Sequence, residues 1–306
     1  MELAQLRALR ELRDRGSIAA VARAFHVTPS AVSQQLAALQ RSAGVPLTRL
    51  EGRRTVLTGA GAALAAAAVE VEIAFAHARD AVSAYQAESG ATVTVGAFHS
   101  AALAFFPGLL AAQAGGGPPL ELHDDDVAQD AFARLTADTD LVVAHRLAGG
   151  PAWPAGVVAT HLLTEPLDLA FRAGHRLDAP GPPHASDLRD VRWIAVHGDF
   201  PLADAVRVIG TAAGAEPTVA HRINEFSVAA ALVAGSDLAA LLPRHTSAAY
   251  RSPSLRLRPL PRGLAVERRI DVLARPEALQ RRTVRAVLGT LRHLAAELAG
   301  GPTGRA

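Results

Sequence analysis

Residues 17–39 run Ser17-Ile-Ala-Ala-Val-Ala-Arg-Ala-Phe-His-Val-Thr-Pro-Ser-Ala-Val-Ser-Gln-Gln-Leu-Ala-Ala-Leu39, and they read as two short helices around a tight turn. Ser17 is a natural N-cap, and Ile18, Val21, Ala22 and Phe25 supply the buried side of the first helix. After the turn at His26-Val27, Thr28 caps the second helix and Pro29 takes its first position, where a missing N–H costs nothing. Val32, Leu36 and Leu39 point inward, which assigns Ser30, Ser33, Gln34 and Gln35 to the outside. Gln can pair with N6 and N7 of adenine, Ser reaches bases or phosphates, and the free N–H groups of a helix start favour phosphate. The pattern predicts a helix laid in the DNA major groove.

The flanks extend this into a winged head. Upstream, Leu3, Leu6, Leu9 and Leu12 mark one apolar face of a helix ending near Arg15-Gly16. Downstream, Leu47 to Leu57 forms two short strands around Glu51-Gly52, a wing carrying Arg49, Arg53 and Arg54. Residues 1–58 hold nine Arg against four acids, whereas the remainder holds 22 Arg against 25 acids, so only the head is suited to meet a polyanion. A three-helix bundle packed against protein is the competing reading, but helix pattern, turn, polar helix start and basic wing agree with one another.

Composition bounds the rest. A chain of 306 residues suggests two or three domains. It has no cysteine, which excludes disulfides and thiolate sites and fits a reducing compartment. The start Met1-Glu-Leu-Ala-Gln-Leu-Arg lacks the basic and apolar runs of a signal peptide, and Ala60–Ala68 is too short to span a bilayer, so a soluble cytoplasmic protein without membrane attachment is expected. All basic residues apart from His are Arg, which base composition explains as readily as phosphate binding does.

The head resembles the DNA-binding domain of LysR-type transcriptional regulators. The resemblance is carried by Gly16-Ser17, the alanines around Val21, Ser30 to Gln35, Gly44 to Leu47, and Leu57-Thr58 with Gly61, and it spans nearly all of residues 1–61. Thr48 departs from the family's usual aromatic, Gln40 from its usual Glu, and Val21 separates alanines that are usually adjacent. The candidate DNA contacts are Ser17, Thr28, Pro29, Ser30, Ser33, Gln34, Gln35, Arg49, Arg53, Arg54 and Thr58.

Residues 59–88 lack proline and are rich in Ala and Glu, which predicts a long linker helix. Leu64, Ala68, Val71, Phe75, Ala78, Val82 and Tyr85 alternate by four and three, the seam of a two-stranded coiled coil. A helix folded back on its own domain is the alternative. In the family the corresponding helix pairs two heads, which implies a homodimer on a pseudo-palindromic operator, assembly to a homotetramer, and RNA polymerase as a possible further partner.

The body alternates strands and helices and is read as α/β with mainly parallel sheets. Strands are expected at 92–98, 120–123, 140–144, 167–171, 193–196, 238–242 and 267–274. Helices are expected at 101–112, interrupted near Pro107, and at 128–136, 202–213, 227–233 and 276–298. The resemblance implies a two-lobed effector-binding domain, similar to periplasmic solute-binding proteins, over 89–298. Lobe one falls at about 91–162 and 268–298, lobe two at about 163–267, and 299–306 forms a flexible tail. The fold class is thus a mainly α winged helix-turn-helix head (1–58), a linker helix and an α/β effector domain. Ligands of such lobes collect at strand C-termini, which puts His99, Ser100, His145, Phe200, Glu225 and Phe226 at a cleft for a small-molecule effector. Asp199 and Glu225 make the lobe-two rim acidic, which favours a cationic or amine-bearing effector.

Asp124-Asp-Asp126 reads as a solvated charge run, because three adjacent acids fan apart and no EF-hand spacing follows. The 12 His show no zinc spacing, and no GxSxG, P-loop or dinucleotide motif occurs, so neither catalysis, metal nor cofactor is expected. The reading is a sequence-specific, effector-controlled transcription regulator. The alternative is a solute-binding or catalytic α/β protein whose basic head does not bind DNA.

Overall fold

The computed structural model describes residues 1–83, 91–181, 183–198, 200 and 202–300. Leu6, Leu9 and Leu12 line the buried side of α1 (Leu3–Arg15), which stops at Gly16 with a left-handed φ of 73°. Ser17 caps α2 (Ile18–Ala24) by accepting from the Ala20 N–H at 3.2 Å, and Thr28 caps α3 (Pro29–Ala43) by accepting from the Ala31 N–H at 3.2 Å. His26 makes the turn between them with a φ of 53°, a conformation that non-glycine residues rarely adopt. Val21, Val32, Leu36, Leu39 and Leu47 close on α1 in one apolar cluster.

The wing is an antiparallel pair, β1 (Thr48–Glu51) and β2 (Arg54–Leu57). Gln40 Oε1 accepts from the Leu47 backbone N–H at 2.9 Å and so ties the wing to α3. A carboxylate oxygen at this position would do the same, which explains why Gln serves where Glu is usual.

The linker is one helix, α4 (Gly59–Ser83). Gly61, Ala65, Ala68 and Glu72 form its buried side, packed on the head. The approach is so close that a Cβ on Gly61 would lie 1.9 Å from the Leu47 carbonyl oxygen. This corrects the predicted seam, since Ala68 belongs to the head core and Leu64 packs partly against it. Small side chains on that face let α1 come near. Val71, Phe75, Ala78 and Val82 remain exposed, and Tyr85 lies outside the described residues. Gly59–Val82, 24 residues, is also long and apolar enough to cross a bilayer by length and composition, more than Ala60–Ala68 suggests. Its Glu72, however, is buried and ion-paired to Arg10 at 3.0 Å.

The body follows as β3 (Val93–Ala97), α5 (His99–Ala114), β4 (Leu120–Asp124), α6 (Phe132–Leu135), β5 (Leu141–Leu147), β6 (Val158–Arg172), β7 (Arg192–Ala195), α7 (Ala205–Ala213), β8 (Thr218–Arg222), α8 (Phe226–Ala234), β9 (Leu238–Pro243), β10 (Leu255–Arg258), β11 (Glu267–Ala274) and α9 (Arg282–Gly300). Its sheet runs β4-β3-β5-β11-β6-β9-β7-β8, with β10 also on β6. β3 pairs parallel with β4 and β5, and β7 parallel with β8 and β9, while β11 and the long β6 pass antiparallel through the middle. Two apolar clusters sit on either side: Val93, Phe105, Leu163 and Ile270 belong to one, Leu167, Trp193, Leu241 and Val266 to the other. The chain therefore changes lobe between Leu163 and Leu167 on β6 and between Val266 and Ile270 on β11.

Several elements differ from the expectation. α5 is unbroken at Pro107, because Pro107 and Leu103 are exposed and water can take up the carbonyl that the ring leaves without a donor. β6 starts at Val158 rather than Leu167, β8 and β10 were not expected, and the 128–136 helix reduces to a 3₁₀ turn, Gln129–Ala131, with the short α6. α9 continues to Gly300, and residues 301–306 of the expected tail lie outside the described ones.

Candidate nucleic-acid interface and effector cleft

The start of α3 presents Thr28, Pro29, Ser30, Ser33 and Gln34, all exposed. Ser17 and Thr28 use their hydroxyl oxygens as acceptors for capping, which leaves each O–H free to donate to a phosphate. Ser33 Oγ donates back to the Pro29 carbonyl at 2.9 Å, so its lone pairs face outward. Gln35 is only half-exposed and its Oε1 is buried without a partner, unlike the outward side chain that its spacing suggests. Thr58 is committed locally: its hydroxyl donates to the Pro46 carbonyl at 2.7 Å and accepts from the Gly61 N–H at 3.0 Å, joining wing to linker.

Electrostatics divides the head arginines into two sets. Arg7, Arg10, Arg13 and Arg15, all on α1, pair with acids of the head, linker or body. Arg23 ends α2, Arg41 ends α3, and Arg53 and Arg54 sit at the wing tip; these four are exposed and make no ion pair among the described residues. Arg49 is also exposed but is held by Glu51 at 2.6 Å. A protein surface that leaves cations unpaired on one face is equipped to meet phosphates there.

The second site lies where β3, β7 and β8 end. His99, Ser100, His145, Phe200, Glu225 and Phe226 line one small cavity of about 10 Å³, together with Phe98, Asp126 and Asn224. His99 Nδ1 lies 2.8 Å from Asp124 Oδ2 of lobe one, and its Nε2 lies 3.6 Å from Glu225 Oε2 of lobe two. The hydrogen bond to Asp124, aided by the Glu225 charge, raises the His99 pKa against the cost of burial. Glu225 also caps α8 by accepting from the Ser227 N–H at 2.8 Å. His145 is 1% exposed, both its ring nitrogens lack partners, and burial next to Arg268 pushes its pKa well below the usual value, so it is neutral. Asp126 reaches solvent at the cleft edge, yet desolvation in the cleft and the charges of Glu225 and Asp124 push its carboxyl up to about 6. Thus Asp124 and Asp126 belong to the cleft, and the reading of 124–126 as a plain solvated run is corrected: β4 ends there, beside α5. Asp199 lies outside the described residues.

Arg268 was missed. It and Glu165 are completely buried at the lobe crossing, where Arg268 Nε donates to Glu165 Oε2 at 2.8 Å. Glu165 Oε1 also accepts from the His245 and Thr246 backbone N–H groups, both at 2.6 Å, and Arg268 Nη2 donates to Ser100 Oγ at 3.1 Å. Ser100 is therefore an acceptor in the hinge rather than a cap of α5, which has no side-chain cap bond. Charged residues within the otherwise apolar strands β6 and β11 were the available signal. A larger cavity, about 750 Å³, separates α1 from lobe one, but its Arg13, Arg134 and Arg275 are all matched by acids. Size alone does not identify the site.

Comparison with known proteins agrees with this geometry. Residues 3–62 match the model of the bacterial regulatory helix-turn-helix protein, lysR family, and residues 86–296 match the LysR substrate binding domain. The HTH-type transcriptional regulator PcaQ of Agrobacterium fabrum is 30% identical over 175 residues, 56% of this chain and 55% of its own length, and PcaQ of Rhizobium radiobacter gives the same values. The match thus spans about half the length of these curated relatives. Among solved structures, a full-length OxyR variant from Pseudomonas aeruginosa aligns with a TM-score of 0.66 at 18% identity, covering 95% of each chain. A putative LysR family transcriptional regulator from the same organism gives 0.56 at 19% identity, over 95% of this chain and 98% of that one. These likenesses speak to the fold. The two family matches account for most of the sequence, head and body alike, and the chain belongs to the LysR family of transcriptional regulators.

Proposed function

We propose that this protein is a cytoplasmic transcription regulator that binds a pseudo-palindromic operator as a homodimer and changes that contact when a small molecule occupies the cleft between its lobes. The observation that carries the reading is the split among the head arginines: those on α1 are paired, whereas Arg23, Arg41, Arg53 and Arg54 stand unpaired around the exposed start of α3. Ser30, Ser33 and Gln34 read base edges, while the wing arginines and the N-terminal N–H groups of α3 hold phosphates. Thr58 and Gln35 act mainly in support, through the local bonds and burial described above. Val71, Phe75, Ala78 and Val82 form the exposed stripe that meets its copy and sets two heads on two half-sites. Pairs of dimers on longer sites, and contact with RNA polymerase, are compatible extensions.

Effector control follows from the hinge. β6 and β11 carry the chain between lobes, and the buried Arg268–Glu165 pair with Ser100 and Thr246 fixes their mutual setting. A molecule that binds one setting better than another shifts the heads joined to lobe one. The test is the salt dependence of binding to the intergenic DNA beside the gene. Arg53→Ala with Arg54→Ala is expected to lower affinity for all sequences and to reduce the slope of log affinity against log salt by about 2. Gln34→Ala is expected to relax sequence choice more than random-DNA affinity. An unchanged slope rejects the wing assignment, and absence of any protected region rejects the regulator reading.

A further inference from the structure

We propose that the cleft recognises its ligand through a protonated amine, seated between the carboxylates of Asp126 and Glu225, with His145 hydrogen-bonding a polar atom of the same ligand. The inference rests on the reading of this cleft as the effector site.

The charge balance at the cavity is negative. Asp124 and Asp126 come from lobe one and Glu225 from lobe two, and His99 is the one basic group set between Asp124 and Glu225, at 2.8 and 3.6 Å. The nearby Arg268 does not offset them, because Glu165 already matches it at 2.8 Å and both are 0% exposed. Asp126 shows the excess directly, its carboxyl being pushed up by desolvation and by the two neighbouring carboxylates. A cation between Asp126 and Glu225 relieves that repulsion and at the same time draws the two lobes together.

An independent observation points to a ligand at the same place. His145 lines this cavity, is 1% exposed, and has neither ring nitrogen hydrogen-bonded. A buried imidazole without a partner is costly, and a neutral one offers one donor and one acceptor to whatever enters. The walls are aromatic: the Phe98 and Phe200 rings lie 4.2 and 5.8 Å from the His145 ring, and Phe226 completes them. Ring faces attract an ammonium and give no hydrogen bond to a carboxylate. At about 10 Å³ the cavity admits one ammonium-sized group, so the rest of the molecule lies along the cleft. A metal ion does not fit as the occupant, since the described residues contain no group of three or more His, Asp or Glu side chains able to hold one.

The experiment uses the full chain. Thermal shift and calorimetric titration are run with methylamine, putrescine, agmatine and lysine amide, and with butanediol and succinate, which share putrescine's four-carbon chain but are neutral or anionic. At least one amine is expected to raise Tm and bind, while butanediol and succinate do neither. Asp126→Asn combined with Glu225→Gln, which keeps a capping oxygen at 225, is expected to weaken the amine about tenfold or more while the unliganded protein still unfolds cooperatively. Succinate binding in place of amines, no response to any amine, or amine binding unaffected by the double variant each overturns the proposal. Operator binding is measured on the same samples. Retained DNA binding without amine binding removes only the ligand class, whereas loss of DNA binding in the unaltered protein removes the regulator reading and leaves the amine result to stand by itself.

Discussion

Asp126 shows how a binding site stores local destabilisation. Its folded pKa of about 6 exceeds the ordinary value of 3.8, so the folded chain holds this proton more tightly than the unfolded one. The sign follows: the penalty is absent near pH 4, grows as pH rises through the window between the two values, and is complete at neutral pH. Asp126→Asn is therefore expected to raise Tm at pH 7.5 by on the order of 2 °C, with no gain near pH 4. A Tm that rises equally at both pH values assigns the effect to packing instead. His99 was legible in the sequence because it sits where a strand hands over to a helix. The role of Asp126 was not, since it depends on a carboxylate from the other lobe, 99 positions away at Glu225.

At the level of elements, α4 has two faces with two duties. Gly61, Ala65 and Ala68 are small because α1 and the Leu47 backbone occupy the space beside them, and Val71, Phe75, Ala78 and Val82 are left for a partner. Val71→Glu with Val82→Glu puts like charges opposite their copies. It is expected to yield monomers in sedimentation and to lower affinity for a two-half-site operator by about 10²-fold, with each head's single-site binding kept. Dimers that persist in this variant reject the stripe. The helix was legible from composition, but heptad spacing alone could not tell which turns the head already covers. α5 shows the same limit, because whether Pro107 breaks a helix depends on whether water reaches the freed carbonyl.

At the level of the molecule, head, linker and body meet on one buried guanidinium. Arg10 of α1, 1% exposed, reaches Glu72 of α4 at 3.0 Å and Glu277, just before α9, at 2.7 Å; Arg275 pairs with Glu11, and Arg15 with Asp138 at 2.6 Å. Lobe one is thereby fastened to the helix on which the DNA-reading elements rest. Arg10→Met leaves two acids buried without their cation and is expected to destabilise the chain by about 3–5 kcal/mol in urea unfolding. Adding Glu72→Leu and Glu277→Gln is expected to recover most of the loss, because it is the unpaired charge and not the missing contact that is costly. A triple variant as unstable as the single one contradicts this account.

By itself the sequence determined the winged head, the long helix after it and the α/β character of the body, because each rests on local periodicity, capping residues and composition that act within a few turns of chain. Tertiary structure alone decided the Arg268–Glu165 hinge pair, the Arg10 junction and the acidic cleft around His145. Their partners stand about 60 to more than 260 positions apart, and the energy of a charge depends on what surrounds it and how little water remains there, which no spacing along the chain records.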